Sequence, residues 1–538
     1  MIKQLMSRIK WHRAIIYVTV IISFQLTNFI NLAAQSDTLL VKKSELSFTS
    51  PFEKVVFENL SLDSSLHFMV KLLLSPSNPE DSLLLPQIES SINQIVEVYN
   101  SPSMLKKKPA KRLDLLTKEI HNKFFKVYKD DADFAEIFKT GQFNCVGGTG
   151  LFALVLKKLE IPFAIKTPPG HAYLVAYPST ENIMIESTDA INTTISYSSA
   201  YREDFVKRLL EMKIIDSKDY RSMSVDQLFE QHFYKSKPTS LSNLAGVLYI
   251  NKAVAFLEDK KYDKAYPLME KAYFLYPTNH YEDLLVLLWG LQYDIMEKNK
   301  PEVYGIIAKL SRCKKYGMNA EKIDGIFGDF IQSTLHDSGD TTLLINGFHH
   351  IDSTLTDTTI QLSIRIAFYT ELGRYYYFQS NFSKALENLA IALELKPKNQ
   401  MTVGMVQDAF FKMIQVYETL PEIEPVIDSY LTQFPNLNQI PEIKRVLLAL
   451  YLIQSENEFA MNNPERGHAY LQKFENQYTQ NLKTEKLTNS IAKAYEACCL
   501  YYYRHQKKKL AMQYVNKGLD YAPNNFDLQK KKKYLEGL

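Results

Sequence analysis

The sequence predicts an α+β domain followed by an all-α solenoid. Three observations carry this. Strand-like alternation is confined to residues 161–188, directly behind an apolar run with helical spacing that opens at Cys145. From about Leu241 the alternation disappears and helical spacing runs to the end. Within that helical region a single pattern of aromatic and small residues returns three times at matching offsets. The expected divisions are 1–34, 35–235 and 241–538.

The first division is a leader. Lys3, Arg8, Lys10 and Arg13 precede the apolar run Ala14–Phe24, and Ala33-Ala34 stand before Gln35. This is the order of a secretory signal peptide with cleavage after Ala34. As a membrane anchor the run is too short, and Gln25, Thr27 and Asn28 interrupt it. The mature chain is therefore expected to be exported, periplasmic or extracellular, with no integral membrane segment. A net charge of +3 on 538 residues gives no argument for nucleic acid or a membrane surface. Four cysteines do not make a disulfide framework, and adjacent Cys498 and Cys499 are poorly placed to bridge each other.

In the α+β domain, helices are expected at Leu62–Leu74, Pro86–Tyr99 and Lys111–Tyr128, the last with a broad apolar face from Leu113 to Phe125. Asn144 is a favoured N-cap, so Cys145 should open a helix, where the partial positive charge stabilises a thiolate. That helix should stop near Glu160, because Pro162 disfavours helix at Ile161. Strands then fit Ile161–Lys166, His171–Tyr177 and Asn182–Thr188, separated by Pro168-Pro169-Gly170 and by Pro178–Glu181. Gly147, Gly148 and Gly150 are not a phosphate loop, since no Lys-Ser or Lys-Thr follows; they are expected to let the helix approach the sheet closely. Residues 190–235, with a helix at Ala200–Met212, should close the domain.

A cysteine at a helix start, a histidine opening a strand and a carboxylate near the end of the next strand have the order of nucleophile, base and orienter. Glu186 and Asp189 compete for the third place. A turn at Pro178–Glu181 pairs residues whose numbers sum to 359, and a two-residue turn gives 357. In either register Glu186 shares the face of His171, directly across or two residues off, while Asp189 points to the other face. Asn144-Cys145, Glu160-Ile161-Pro162, His171-Ala172-Tyr173 and Glu186-Ser187-Thr188 together resemble the transglutaminase-like superfamily of papain-like cysteine enzymes. The family usually has Asp where Glu186 stands and commonly Trp where Tyr173 stands. The resemblance implies a papain/transglutaminase-like fold with Cys145, His171 and Glu186 as catalytic residues and no cofactor or metal. The Cys145 backbone N–H, and secondarily Gln142, are candidate oxyanion donors.

In the helical region, Tyr249, Ala253, Phe256, Tyr262, Ala265, Met269, Ala272 and Pro277 form the first segment. The second is Tyr369, Gly373, Tyr376, Phe382, Ala385, Leu389, Ala392 and Pro397. The third is Tyr495, Cys499, Tyr502, Ala511, Val515, Gly518 and Pro523. Small residues let two helices pack closely and the proline ends the second. The pattern resembles the tetratricopeptide repeat (TPR). Degenerate pairs fit Leu284–Glu297 with Glu302–Cys313, and Lys444–Ala460 with Glu465–Tyr478. Such repeats imply a groove for a protein or peptide partner.

The expected activity is acyl transfer on amide bonds of protein or peptide substrates, hydrolysis favoured over cross-linking, with the repeats binding a protein partner. The competing expectation is a catalytically silent domain in a repeat scaffold.

Overall fold

A computed structural model describes residues 40–60, 65–188, 197–212, 214–415 and 420–537. The expected leader 1–34 and the alternative orienter Asp189 lie outside the described residues. The chain divides into two compact units, Met1–Met296 and Glu297–Leu538, so the boundary expected at 235–241 falls inside the first unit.

The first unit is built around one helix. Before it come α1 (Pro51–Glu58), α2 (Leu66–Leu74), α3 (Leu85–Tyr99), α4 (Pro109–Phe124) and the short strands β1 (Val127–Tyr128) and β2 (Gln142–Phe143). Helix α5 (Cys145–Lys158) follows, and every residue from Cys145 to Leu156 is buried. A helix apolar on all sides belongs in a core. It is enclosed by α2, α3, strands β3 (Phe163–Lys166) and β4 (Tyr173–Ala176), and helix α8 (Leu241–Glu258). Glu160 then turns the chain at φ +56°. Strand β5 (Ile183–Ile185), helix α6 (Ser199–Glu211), a short helical segment at Ser217–Ser222, helix α7 (Val225–Phe229) with a π turn at Glu230–Tyr234, and strand β6 (Pro238–Thr239) follow before α8. The antiparallel sheet runs β5-β4-β3-β6, and β1 pairs with β2 in parallel. All three expected strands are present but shorter, and Tyr177 and Asn182 at φ +49° and +50° turn the chain between β4 and β5. In the β4–β5 ladder Leu174 opposes Ile185 and Ala176 opposes Ile183, so the register sums to 359.

Helices α8, α9 (Tyr262–Leu275) and α10 (Asn279–Ile295) close the first unit. What fuses the α8–α9 hairpin to the domain is a buried ion pair. Lys271 Nζ lies 2.6 Å from Glu53 Oε1, with side chains 0% and 2% exposed. Tyr249 donates to the same oxygen at 2.7 Å, and Thr49 N donates to Oε2 at 2.7 Å. A buried charge is tolerable only when partnered this fully. Lys252 adds bonds to the Pro76 carbonyl at 2.7 Å and Asp133 at 3.0 Å.

The second unit is helical throughout its described residues. In order come α11 (Glu302–Leu310), α12 (Ala320–Ile331), α13 (Thr341–Thr354), α14 (Thr358–Phe378), α15 (Phe382–Leu395), α16 (Gln400–Ile414) and α17 (Leu420–Gln433). They are followed by α18 (Pro441–Ala460), α19 (Pro464–Gln477), α20 (Glu485–Arg504), α21 (Lys508–Tyr521) and α22 (Phe526–Glu536). Hairpins α14–α15, α18–α19 and α20–α21 share one turn with α8–α9. Each has a left-handed residue, at Lys260, Ser380, Asn462 and Gln506. The next amide then returns to a carbonyl five residues back: Lys261 to Phe256, Asn381 to Tyr376, Asn463 to Glu458 and Lys507 to Tyr502, at 2.8–2.9 Å. This is the Schellman closure of a helix end. Small residues sit where the helices meet; a Cβ on Gly373 would lie 2.7 Å from Leu389 Cγ. These are TPR-like helix hairpins. The second degenerate pair corresponds to α18–α19, whereas Leu284–Glu297 with Glu302–Cys313 straddles the division between the units.

Candidate functional site

Asn144 fixes the start of α5. Its Oδ1 accepts from Gly147 N at 2.8 Å, and its Nδ2 donates to the Asp130 and Ala132 carbonyls at 3.0 Å. Cys145 therefore stands in the first turn, 8% exposed. The amides of Cys145 and Val146 have no carbonyl within the helix to meet, as in any first turn. The turn before β4 is closed by His171 N bonding the Pro168 carbonyl at 3.0 Å, with Gly170 at φ +75°, a left-handed conformation that glycine adopts without strain. Glu186 directly follows the last residue of β5. The 359 register sets it opposite position 173, diagonal to His171 on the same face.

His171 Nε2 lies 2.6 Å from Glu186 Oε2. Tyr197 donates to the same oxygen at 3.1 Å, while Oε1 accepts from Thr188 N at 3.2 Å and Thr188 Oγ1 at 2.8 Å. Burial pushes the Glu186 carboxyl up, but the bonds from His171 and Thr188 outweigh it and hold it below the ordinary glutamate value. Burial likewise pushes the His171 imidazole down, but bonding to the Cys145 side chain and to Glu186 outweighs this and raises it to about 10. The ring is thus a cation at neutral pH, committed through Nε2 to the carboxylate and also bonded to the Cys145 side chain. Gly148 brings the strand end onto the helix: a Cβ there would meet Ser187 Cβ at 2.6 Å, and Ser187 Oγ donates to the Cys145 carbonyl at 3.2 Å.

Tyr128, Phe233 and His121 were not legible in the spacing of the motif. Tyr128 bonds Cys145 and Asp130; burial and these neighbours push its phenol well above the ordinary value. Tyr128 pairs with Phe143 across β1–β2, so it faces away from Gln142. Gln142 does not line the cavity described below, whereas Tyr128 does. Phe233, in the π turn after α7, stacks on His171 at 5.8 Å and 15° and on Tyr173 at 5.3 Å and 14°. It belongs to an aromatic cluster with Phe205 and Phe229, against which Tyr197 and Tyr201 pack, covering the imidazole. His121 Nε2 lies 3.5 Å from the Glu186 carbonyl. Residues 197–234 thus build one wall of the site as well as closing the domain.

The sulfur and imidazole open onto a cavity of about 700 Å³. Its walls are Tyr128, Asp130 and the 167–171 turn on one side, Arg208 on α6 with Met212 and Ile214 after it, and Val247, Ile250, Asn251 and Val254 along α8. The α9–α10 connection, including Tyr276, His280 and Asp283, completes it. The volume is in the range of small-ligand and short-peptide sites. Among the described residues no group of three side chains could hold a metal ion, and no helix is long and apolar enough to cross a membrane.

No family model matches the chain, and no curated protein matches it. Several solved structures are similar to stretches of it. A tetratricopeptide repeat protein from Parabacteroides merdae is 14% identical over 55% of this chain and 100% of its own, with a TM-score of 0.16. The TPR domain of P58(IPK) is 13% identical over 62% and 86%, with a TM-score of 0.18. The C-terminal part of a TPR repeat-containing protein from Cytophaga hutchinsonii is 14% identical over 62% and 98%, with a TM-score of 0.13. The hairpins are TPR-like by the turn that all four share.

Proposed function

We propose that this chain is a transglutaminase-like cysteine enzyme that transfers acyl groups from amide bonds of protein or peptide substrates, usually to water, on a repeat scaffold that binds a protein partner. The observation that carries the reading is the 2.6 Å bond between His171 and Glu186 on an imidazole that also bonds Cys145. In this reading the Cys145 thiolate attacks the amide carbonyl, forming a C–S bond. His171 gives its proton to the leaving amine as the C–N bond breaks. Water then adds to the thioester, His171 takes its proton, and the acid leaves as the thiolate returns. The Cys145 amide and the Tyr128 hydroxyl are the oxyanion donors. Export, periplasmic or extracellular, belongs to the same proposal; N-terminal sequencing of native protein should begin near Gln35.

The test is acid-quenched intact-mass analysis during incubation with a peptide mixture. An acyl adduct on Cys145 that hydroxylamine removes, and that Cys145→Ala lacks, is the expected result. A specific observation favours a second reading, a silent domain within a scaffold: Cys145 is only 8% exposed, with the Tyr128 hydroxyl bonded to its side chain. Absence of the adduct, together with a Cys145 no more reactive toward iodoacetamide than Cys313, would establish that alternative.

A further inference from the structure

The α8–α9 hairpin, a repeat-type element, forms a wall of the Cys145 cavity. Val247, Ile250, Asn251 and Val254 all line it. Their spacing puts them on one stripe of α8, the face turned toward the sulfur. Three are apolar. The fourth, Asn251, is partly exposed, and no hydrogen bond of its side-chain amide is present among the described residues. An amide carries donors and an acceptor together, the complement of a peptide backbone N–H and C=O. Met212 and Ile214, from the chain after α6, extend the apolar lining.

We infer that α8 is the substrate-selecting wall of this site, with Asn251 pairing with the backbone of a bound peptide segment and Val247, Ile250 and Val254 taking an apolar side chain beside the scissile amide. The substrate class is a short extended peptide segment with an apolar residue, such as a chain end or an unfolded loop. Two observations argue for this occupant. The stripe is continuous with the cavity that holds Cys145 and His171, and about 700 Å³ accommodates a few residues and not a folded surface. The charged residues among the lining, Asp130, His171, Arg208 and Asp283, lie off the α8 stripe, which itself carries no charge. Asn251 and Val254 are positioning residues, since they touch substrate away from the reacting atoms. The selection takes its purpose from the proposed acyl transfer, so the experiment separates the two.

Tripeptidyl chloromethyl ketones with leucine or glutamate scanned through each position are reacted with the full chain, and each rate is divided by the iodoacetamide rate. The expected result is a preference for leucine at one position of at least about ten-fold, within the span of one pocket-filling group. Val254→Asp should abolish that preference, and Asn251→Ala should lower the peptidyl-to-iodoacetamide ratio about ten-fold for all positions. A second measurement does not need a reactive thiol: calorimetric binding of capped leucine- and glutamate-containing hexapeptides to Cys145→Ala should show the same preference and the same losses. If the thiol is unreactive but the peptides still bind selectively, the proposed chemistry fails and the inference stands. Equal treatment of leucine and glutamate in both assays, or a preference that Val254→Asp leaves unchanged, overturns the inference whatever the thiol does.

Discussion

Gly148→Ala sets two opposing effects against each other inside α5. Helix propensity favours alanine over glycine by about 1 kcal/mol, so an isolated helix would gain. The added Cβ, however, would lie 2.6 Å from Ser187 Cβ, 2.9 Å from its Oγ and 3.2 Å from Phe125 Cζ. Carbon atoms rest about 3.5–4.0 Å apart, so Ser187 must retreat by about 1 Å. Overpacking of this kind costs about 1–3 kcal/mol, which equals or exceeds the propensity gain. The functional effect should be larger than the stability effect. Ser187 is bonded to Glu186, and a shift of that size stretches the 2.6 Å bond to His171 beyond hydrogen-bonding range. Gly150 is the control: its added Cβ would meet the terminal Cδ1 of Leu73 at 2.9 Å, a side-chain tip away from the site. The assays are urea denaturation and the rate of Cys145 alkylation at neutral pH. Gly148→Ala should be equally or less stable and alkylate several-fold more slowly, while Gly150→Ala changes stability alone. A Gly148→Ala chain that is more stable than the parent and alkylates as fast would refute the argument.

Other outcomes follow from the same contacts. Glu186→Gln should slow Cys145 labelling far more than Asp189→Asn; the reverse ranking, with both proteins folded, would move the orienting role to Asp189. His171 is raised from 6.5 to about 10, so its contribution to stability is complete below about pH 6.5 and is lost as pH rises toward 10. Urea midpoints should therefore fall over that window in the parent and less steeply in Glu186→Gln. Lys271→Met leaves Glu53 charged and buried and should cost about 3–5 kcal/mol, most of it recovered when Glu53→Gln is added; an additive double variant would count against the buried pair. A fragment of 297–538 should fold as a helical unit by circular dichroism. A fragment of 241–538 should show weak hydrogen-exchange protection in α8 and α9, because their Glu53 partner is missing; full protection there would contradict the fused hairpin.

Much of the candidate site was legible because Cys145, His171 and Glu186 lie on one short stretch of chain, and Ser187, 42 positions after Cys145, bonds its carbonyl. An N-cap, two turns and one parity argument place them, all local signals. The turn at Pro178–Glu181 decided between the two registers, and the ladder sums to 359. Tyr128 was not legible because its role depends on a two-residue parallel pairing with 142–143, too short for any periodic signal. Phe233 was hidden for a different reason: a π turn shifts its side chain relative to the α-helical frame. The hairpin at 241–275 read as a repeat, and it is one by its turn. Its attachment to the first unit hangs on Glu53 and Lys271, 218 residues apart, a separation at which single-sequence patterns carry no information. The degenerate hairpin α18–α19 was readable because its helices have the right lengths even where the small-residue pattern lapses.

The proposed chemistry requires His171 to activate the Cys145 sulfur, and alkylation at neutral pH reads this directly. The rate of iodoacetamide reaction at Cys145, followed by peptide mapping against Cys313, Cys498 and Cys499, should be the highest of the four. Cys498 and Cys499 should lag, since burial raises both thiols, Cys499 to about 11. In His171→Ala the Cys145 rate should drop several-fold while the other three cysteines react as before. A parent chain whose Cys145 reacts no faster than Cys313, and no faster than in His171→Ala, would contradict the activated thiol and with it the proposed enzyme.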